Sequence, residues 1–294
     1  MPLMLSLARF VIAMAIGFLA MTLGMPASHG STLFTDTGVA PADIQGTVDA
    51  FRAALGNPNN GNVAGPLTSG RREINWDGGG SDATAVNAGA LNAFRNTRGA
   101  QFLTPGTGFV QAPASGGSGG GLATLFGNPA YATGFQAFSP VRLFAPIGSN
   151  VTEAVFSIPN TNGAVAAAVT AFGAVFSDVD LAGSTSMSFF DHNGALILSV
   201  DVPELAGDGT LSFVGVLLDP ERPATRIEIV TGNAALGPSD NPGGGLDVVV
   251  MDDFIFAEPR GIPAPAALGL LGVGLLAAGA RLRRGRAAYP AASR

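Results

Sequence analysis

The acidic residues of this sequence fall where strands can bring them together. Asp178 and Asp180 alternate in FSDVD, so an extended chain points both to one face. Asp191 and Asn193 share the short segment DHNG, and Asp252 and Asp253 interrupt the apolar run LDVVVMDDFIF. An acid inside a buried strand needs a partner, and a hard cation such as calcium takes carboxylate and carbonyl oxygens. One reading is a structural calcium held by some of Asp178, Asp180, Asp191, Asn193, Asp252 and Asp253. The other gives each acid a backbone hydrogen bond, or an ion pair with Arg226 or Arg142. No EF-hand spacing is present.

A second candidate site surrounds the single tryptophan, Trp76, in RREINWDGGGSD. Asn75, Asp77 and Asp82 carry groups that bond sugar hydroxyls, and the glycine run leaves room beside the ring. Glycan binding by Asn75, Trp76 and Asp77 is the functional reading. The structural one has Trp76 close the edge of a sandwich beside Ile74. Arg71, Arg72 and Glu73 read as a solvated or internally paired cluster.

Other chemistry has little vocabulary. Between residues 31 and 258 there is no Lys and no Cys, one His (His192) and one Tyr (Tyr131). A Ser-His-Asp triad would have to use His192, yet Asn193-Gly194 beside it is a hairpin-turn signal. Zinc needs more His or Cys than this, and no GxGxxG stretch leads into a helix. The glycine-rich stretch ASGGSGGG, residues 114–121, reads as a flexible loop: no Lys follows it and no helix is expected to open there. A glycosidase built on two carboxylates stays open. Apart from the candidate calcium, no cofactor is implied.

These residues need elements to hold them. The chain has 294 residues, 47% of them hydrophobic and 12% charged, enough for a sizeable core. With 42 Gly and 20 Pro, turns and short strands are favoured over long helices. The spacing predicts one helix over residues 41–55, where Ile44, Val48, Phe51 and Leu55 form a stripe that packs on a sheet. From about Gln101 onward, eight or more apolar segments with turn residues between them read as strands. Met187 and Phe189 share one face, as do Ile227 and Ile229. The expected fold is mainly β: an antiparallel, jelly-roll-like sandwich over residues 31–258 with one short N-terminal helix.

All 21 acids lie between Asp36 and Glu258, with only eight of the 15 arginines, so this span carries 8 − 21 = −13. Such a body repels nucleic acid and suits neutral sugars and cations.

The two ends read as addresses. Arg9, the uncharged run Phe10–Leu23 and a small-residue site near Gly30 form a secretory signal peptide over residues 1–30, which implies a translocon and signal peptidase as partners. Near the C-terminus, residues 266–280 are uncharged. As a helix rising about 1.5 Å per residue they reach roughly 22 Å, short of a hydrocarbon core of roughly 30 Å. Pro263 and Pro265 precede this weak anchor, and Arg281, Arg283 and Arg284 follow it at the cytoplasmic side.

The order of proline motif, apolar helix and arginine cluster resembles the PEP-CTERM sorting signal. Ala264, between Pro263 and Pro265, stands where the usual motif has Glu. Residues 41–258 are also similar to secreted PEP-CTERM proteins in blocks such as DAFRAALG, GRREINWDG, FGAVFSDVD and VVVMDDFIF. The resemblance implies residues 259–294 as a sorting domain read by an exosortase-type membrane transpeptidase. It also implies export to the surface or matrix of a polysaccharide-producing Gram-negative bacterium. It supplies a fold and an address, and no reaction. A non-enzymatic surface or matrix module is the leading expectation, with binding of extracellular polysaccharide and a stabilising calcium as its candidate properties. An enzyme acting on that polysaccharide and a purely structural matrix protein are the alternatives.

Overall fold

The computed structural model describes residues 30–237 and 244–262. Of the expected signal peptide, residues 1–29 lie outside the described residues, as do Pro263, Ala264 and Pro265, the apolar segment 266–280 and Arg281, Arg283 and Arg284. Among the described residues, no helix is long and apolar enough to cross a membrane.

Among the described residues, fifteen strands, numbered along the chain, form two antiparallel sheets. One sheet runs β1 (Thr32–Gly38), β12 (Leu211–Leu217), β9 (Ala171–Ser177), β14 (Val250–Ala257), β6 (Leu143–Ile147), β5 (Gly108–Ala112) and β3 (Ala85–Ala88). A further strand, β2 (Arg71–Ile74), pairs with β14 on the side where β6 leaves it. The other sheet runs β11 (Leu196–Asp201), β10 (Ser186–Phe190), β13 (Arg226–Val230), β7 (Val151–Ser157), β8 (Ala166–Ala168) and β15 (Arg260–Gly261), with β4 (Ala100–Leu103) also on β7. The central order is β6-β14-β9-β12 in one sheet and β7-β13-β10-β11 in the other. Along these eight central strands the chain crosses between sheets at every step except the β10–β11 hairpin. This is the jelly roll expected from the sequence.

The two sheets differ in a way their sequences explain. In β9, AFGAVFS, every residue is buried, because the sheet holding it is covered on both faces. In β10 (SMSFF) and β13 (RIEIV) burial alternates, so Met187, Phe189, Ile227 and Ile229 face the core while the residues between them face water. The cover on the first sheet is α1 (Pro41–Leu55), with Ile44, Val48 and Phe51 buried against Val175, Phe213 and Ile255. Pro41 suits the first turn, and the Asp43 carboxylate accepts the amides of Val39 and Ala40. Phe51 fits because two glycines face each other below it: a Cβ on Gly173 or Gly215 would lie 2.8 or 2.7 Å from the ring.

Two expectations need correction. The strands begin well before Gln101, with β1, β2 and β3. A helix does open at the end of the glycine-rich run: α2 (Gly121–Phe126), followed by α3 (Tyr131–Gly134). Gly120 and Gly121 take φ of 81° and 73°, which lets the chain turn into α2 and bury Leu122 with Val110, Leu143 and Val250.

Candidate functional site

Strand β14 changes partners halfway along. Met251 pairs with Phe144 of β6, whereas Phe254 to Ala257 pair with β2. Between them the register against β9 slips at Asp252 and Asp253, a β-bulge in which Asp253 takes φ 23°. The bulge turns both carboxylates toward the loop that precedes β6. Asp252 accepts the amides of Phe138 and Ser139 at 2.8 and 3.0 Å. Asp253 accepts the Ser139 hydroxyl at 2.6 Å and Arg52 Nη2 at 3.1 Å. Asp77, just after β2, accepts the amides of Val141 and Arg142 at 2.6 and 2.9 Å. Three acids therefore hold one loop.

Beside this loop lies a cleft of about 340 Å³ lined by Arg52, Asn59, Glu73, Asn75, Arg98, Ser139 and Asp253. Alternation in β2 assigns its side chains. Arg72, Ile74 and Trp76 point inward, while Arg71, Glu73 and Asn75 point outward, the last two into the cleft. Arg52, in the last turn of α1, bonds Glu73 and Asp253, both at 3.1 Å, and Asp49 at 3.2 Å. Arg71 takes the other oxygen of Glu73 at 2.6 Å. Arg98 donates from Nε to the carbonyl of Glu73 at 2.9 Å.

The electrostatics follow from burial and neighbours. Burial pushes Asp252 well above the usual carboxylate range, Asp253 adds to this, and the amide donors oppose it. Burial also raises Asp253, against the pull of Ser139 and Arg52. Arg52 loses stability as a cation through burial, but Glu73 and Asp253 outweigh that and raise it. Arg98 is lowered by burial and then by the charge of Arg72. What this arrangement can do is bind: it offers amides, a hydroxyl and guanidinium groups to a polar molecule. Both of its carboxylates are paired with Arg52.

The residues singled out from sequence separate. Asn75 lines the cleft. Trp76 is 1% exposed and is not a platform. Its ring stacks on Phe144 with centroids 3.8 Å apart, and Phe94, Phe102 and Phe254 meet it edge-on. Trp76 takes φ 63°, at the turn that ends β2. Asp77 is buried and serves the loop.

The six candidate calcium ligands lie in three places. Asp252 and Asp253 are at the bulge. Asp178 and Asp180 are not on a strand: β9 stops at Ser177, Asp178 takes φ 73°, and Asp180 accepts the amide of Gly207 at 2.7 Å. Asp191 accepts the amides of Asn193 and Ala195 in the DHNG turn, which keeps its carboxyl below the usual range. Among the described residues, no three His, Asp or Glu side chains are arranged to hold one metal ion. Nor do the aspartates pair with Arg226, which bonds Glu153 and Glu228 on the open sheet face and lies 3.7 Å from the centroid of the Phe190 ring.

Arg52, Asn59, Glu73, Arg98 and Ser139 were not legible as a site. For Glu73 the signal was the period-two pattern of RREINW.

A jelly-roll sandwich with one helix-covered sheet, one open sheet and a polar cleft at a strand bulge is the class these features define. No protein-family model matches the chain, and no curated protein matches it in sequence. Among solved structures, one described as the K2 cleaved adhesin domain of Lys-gingipain (Kgp) covers 64% of this chain and 97% of its own, at 8% identity and a TM-score of 0.32. A likeness that slight carries no argument about this chain.

Proposed function

We propose that this chain is an exported, non-enzymatic module of the cell surface or extracellular matrix, and that it binds glycan in the cleft beside the β14 bulge. The observation that carries the reading is the lining of that cleft, where Asn59, Asn75 and Ser139 sit beside Arg52, Glu73 and Asp253, which are paired with one another. Amides, hydroxyls and fixed charges of this kind orient a polyhydroxylated ligand. The address rests on the sequence: a signal peptide for the translocon and signal peptidase, and a PEP-CTERM-like signal at Pro263, Ala264 and Pro265 for an exosortase-type transpeptidase.

Two experiments test this reading. Titration of oligosaccharides from the host's extracellular polysaccharide against the chain and an Asn59→Ala/Asn75→Ala variant tests the site; weaker binding by the variant is expected. Mass spectrometry of the mature termini tests the address; residues 266–294 are expected to be gone, and their retention would replace sorting by simple anchoring. A second reading, hydrolysis of polysaccharide, would use Glu73 and Asp253, which flank one guanidinium. Release of reducing ends by the wild-type chain, lost in Glu73→Gln, would favour it over binding alone.

A further inference from the structure

Four of the eight arginines between residues 36 and 258 are matched to carboxylates. Arg52 takes Asp49, Glu73 and Asp253, Arg71 takes Glu73, Arg72 takes Glu258, and Arg226 takes Glu153 and Glu228. Arg98, in the cleft wall, has no carboxylate within ion-pair distance among the described residues. Its Nε donates to a backbone carbonyl, and its Nη1 is buried without an acceptor. Its close charged neighbour is another cation, Arg72. A partly desolvated guanidinium in that position is short of one anion.

The rest of the lining says what kind of anion fits. A bare inorganic ion would leave unused the Asn59 Nδ2 donor and the acceptor capacity of Asn75 Oδ1 and Ser139 Oγ, which remain after their bonds within the protein, in a cleft of about 340 Å³. A densely charged polymer such as nucleic acid is repelled by a body carrying 8 − 21 = −13. We infer that the cleft selects an acidic sugar, a uronate residue on a sparsely charged glycan, with Arg98 taking its carboxylate and Asn59, Asn75 and Ser139 its hydroxyls. This rests on the glycan-binding reading above and specifies its ligand.

Calorimetric titration of the full chain with two forms of one tetrasaccharide, capped by glucuronate or by glucose, tests the inference. The glucuronate form is expected to bind at least about tenfold tighter, the factor a charge-assisted hydrogen bond brings. Arg98→Gln is expected to bind both forms alike, and Arg98→Lys to keep part of the preference. The comparison of the two forms on the wild-type chain stands even if a variant folds poorly. Equal binding of both forms by the wild type overturns the inference and leaves glycan binding intact. Binding of neither form removes both readings. Sodium acetate that competes as well as the glucuronate form would make the site a general carboxylate receptor and overturn the sugar assignment.

Discussion

Arg72 and Glu258 meet in a buried bidentate ion pair, Nε to Oε2 at 2.6 Å and Nη2 to Oε1 at 2.7 Å. The pair ties β2 to the residue that follows β14. The remaining capacity is used as well: Arg72 Nη1 donates to the carbonyls of Gly61 and Thr97, and Glu258 accepts from Asn60 and the Leu67 amide. Side-chain exposures of 0% and 2% mean that removing one partner strands a charge. Arg72→Met is expected to lower the unfolding free energy by about 3–5 kcal/mol, and Arg72→Met/Glu258→Leu to recover most of it. Urea denaturation of the two variants checks this.

Glu258 and Asp252 are expected to give opposite pH signatures. Burial raises Glu258, but the bonds from Arg72, Asn60 and Leu67 outweigh it and hold it below the usual range. Its contribution is therefore full above an unfolded pKa of about 4.3 and is lost as pH falls through the lower folded value. Asp252 is shifted upward, so its contribution is present below an unfolded pKa of about 3.9 and is lost as pH rises through the folded value. Urea midpoints against pH should show Asp252→Asn flattening the fall on the alkaline side, and Glu258→Gln flattening the fall on the acid side.

The glycine pair under α1 is a steric requirement. Gly215→Ala would place a Cβ 2.7 Å from Phe51 Cδ2. Overpacking of this kind costs about 1–3 kcal/mol, and Phe51→Ala, which leaves the hollow empty, about 3–5 kcal/mol. In the double variant the two effects should be less than additive, because the new methyl partly fills the space the ring leaves. Thermal melts of the three variants decide it.

The single tryptophan reports on the core. Trp76 is stacked and buried, so its emission should be blue-shifted and shielded from acrylamide until the chain unfolds. Its indole N–H is buried without an acceptor. Trp76→Phe should therefore cost much less than Trp76→Ala, for which the loss is about 3–5 kcal/mol. Ready quenching in the native state would contradict the buried placement.

The fold was legible because the main strands and α1 carry strong local patterns. AFGAVFS and LSFVGVL are apolar but for one serine each because their sheet is covered twice, and RIEIV alternates because its sheet is covered once. Strand β1 and the four-residue strands β2 and β3 lack such runs. In β2 the inward series is Arg72, Ile74, Trp76, and a buried arginine breaks the apolar pattern that marks a strand. The site was legible in fragments. Asn75 was singled out for glycan binding, but Asp253 was singled out for calcium, since a bulge that turns Asp252 and Asp253 toward a loop is set by the partner change of β14. Arg52 and Arg98 reach the cleft from a helix end and a turn, places fixed by tertiary packing alone.

Amide hydrogen exchange of the full chain, with and without the oligosaccharide that binds it most tightly, tests the cleft directly. Added protection should fall on residues 71–77 and 138–142 and leave the Phe190–Arg226 face of the other sheet unchanged. Protection confined to that open face, or no change anywhere on the body at saturating sugar, would contradict the cleft as the binding site.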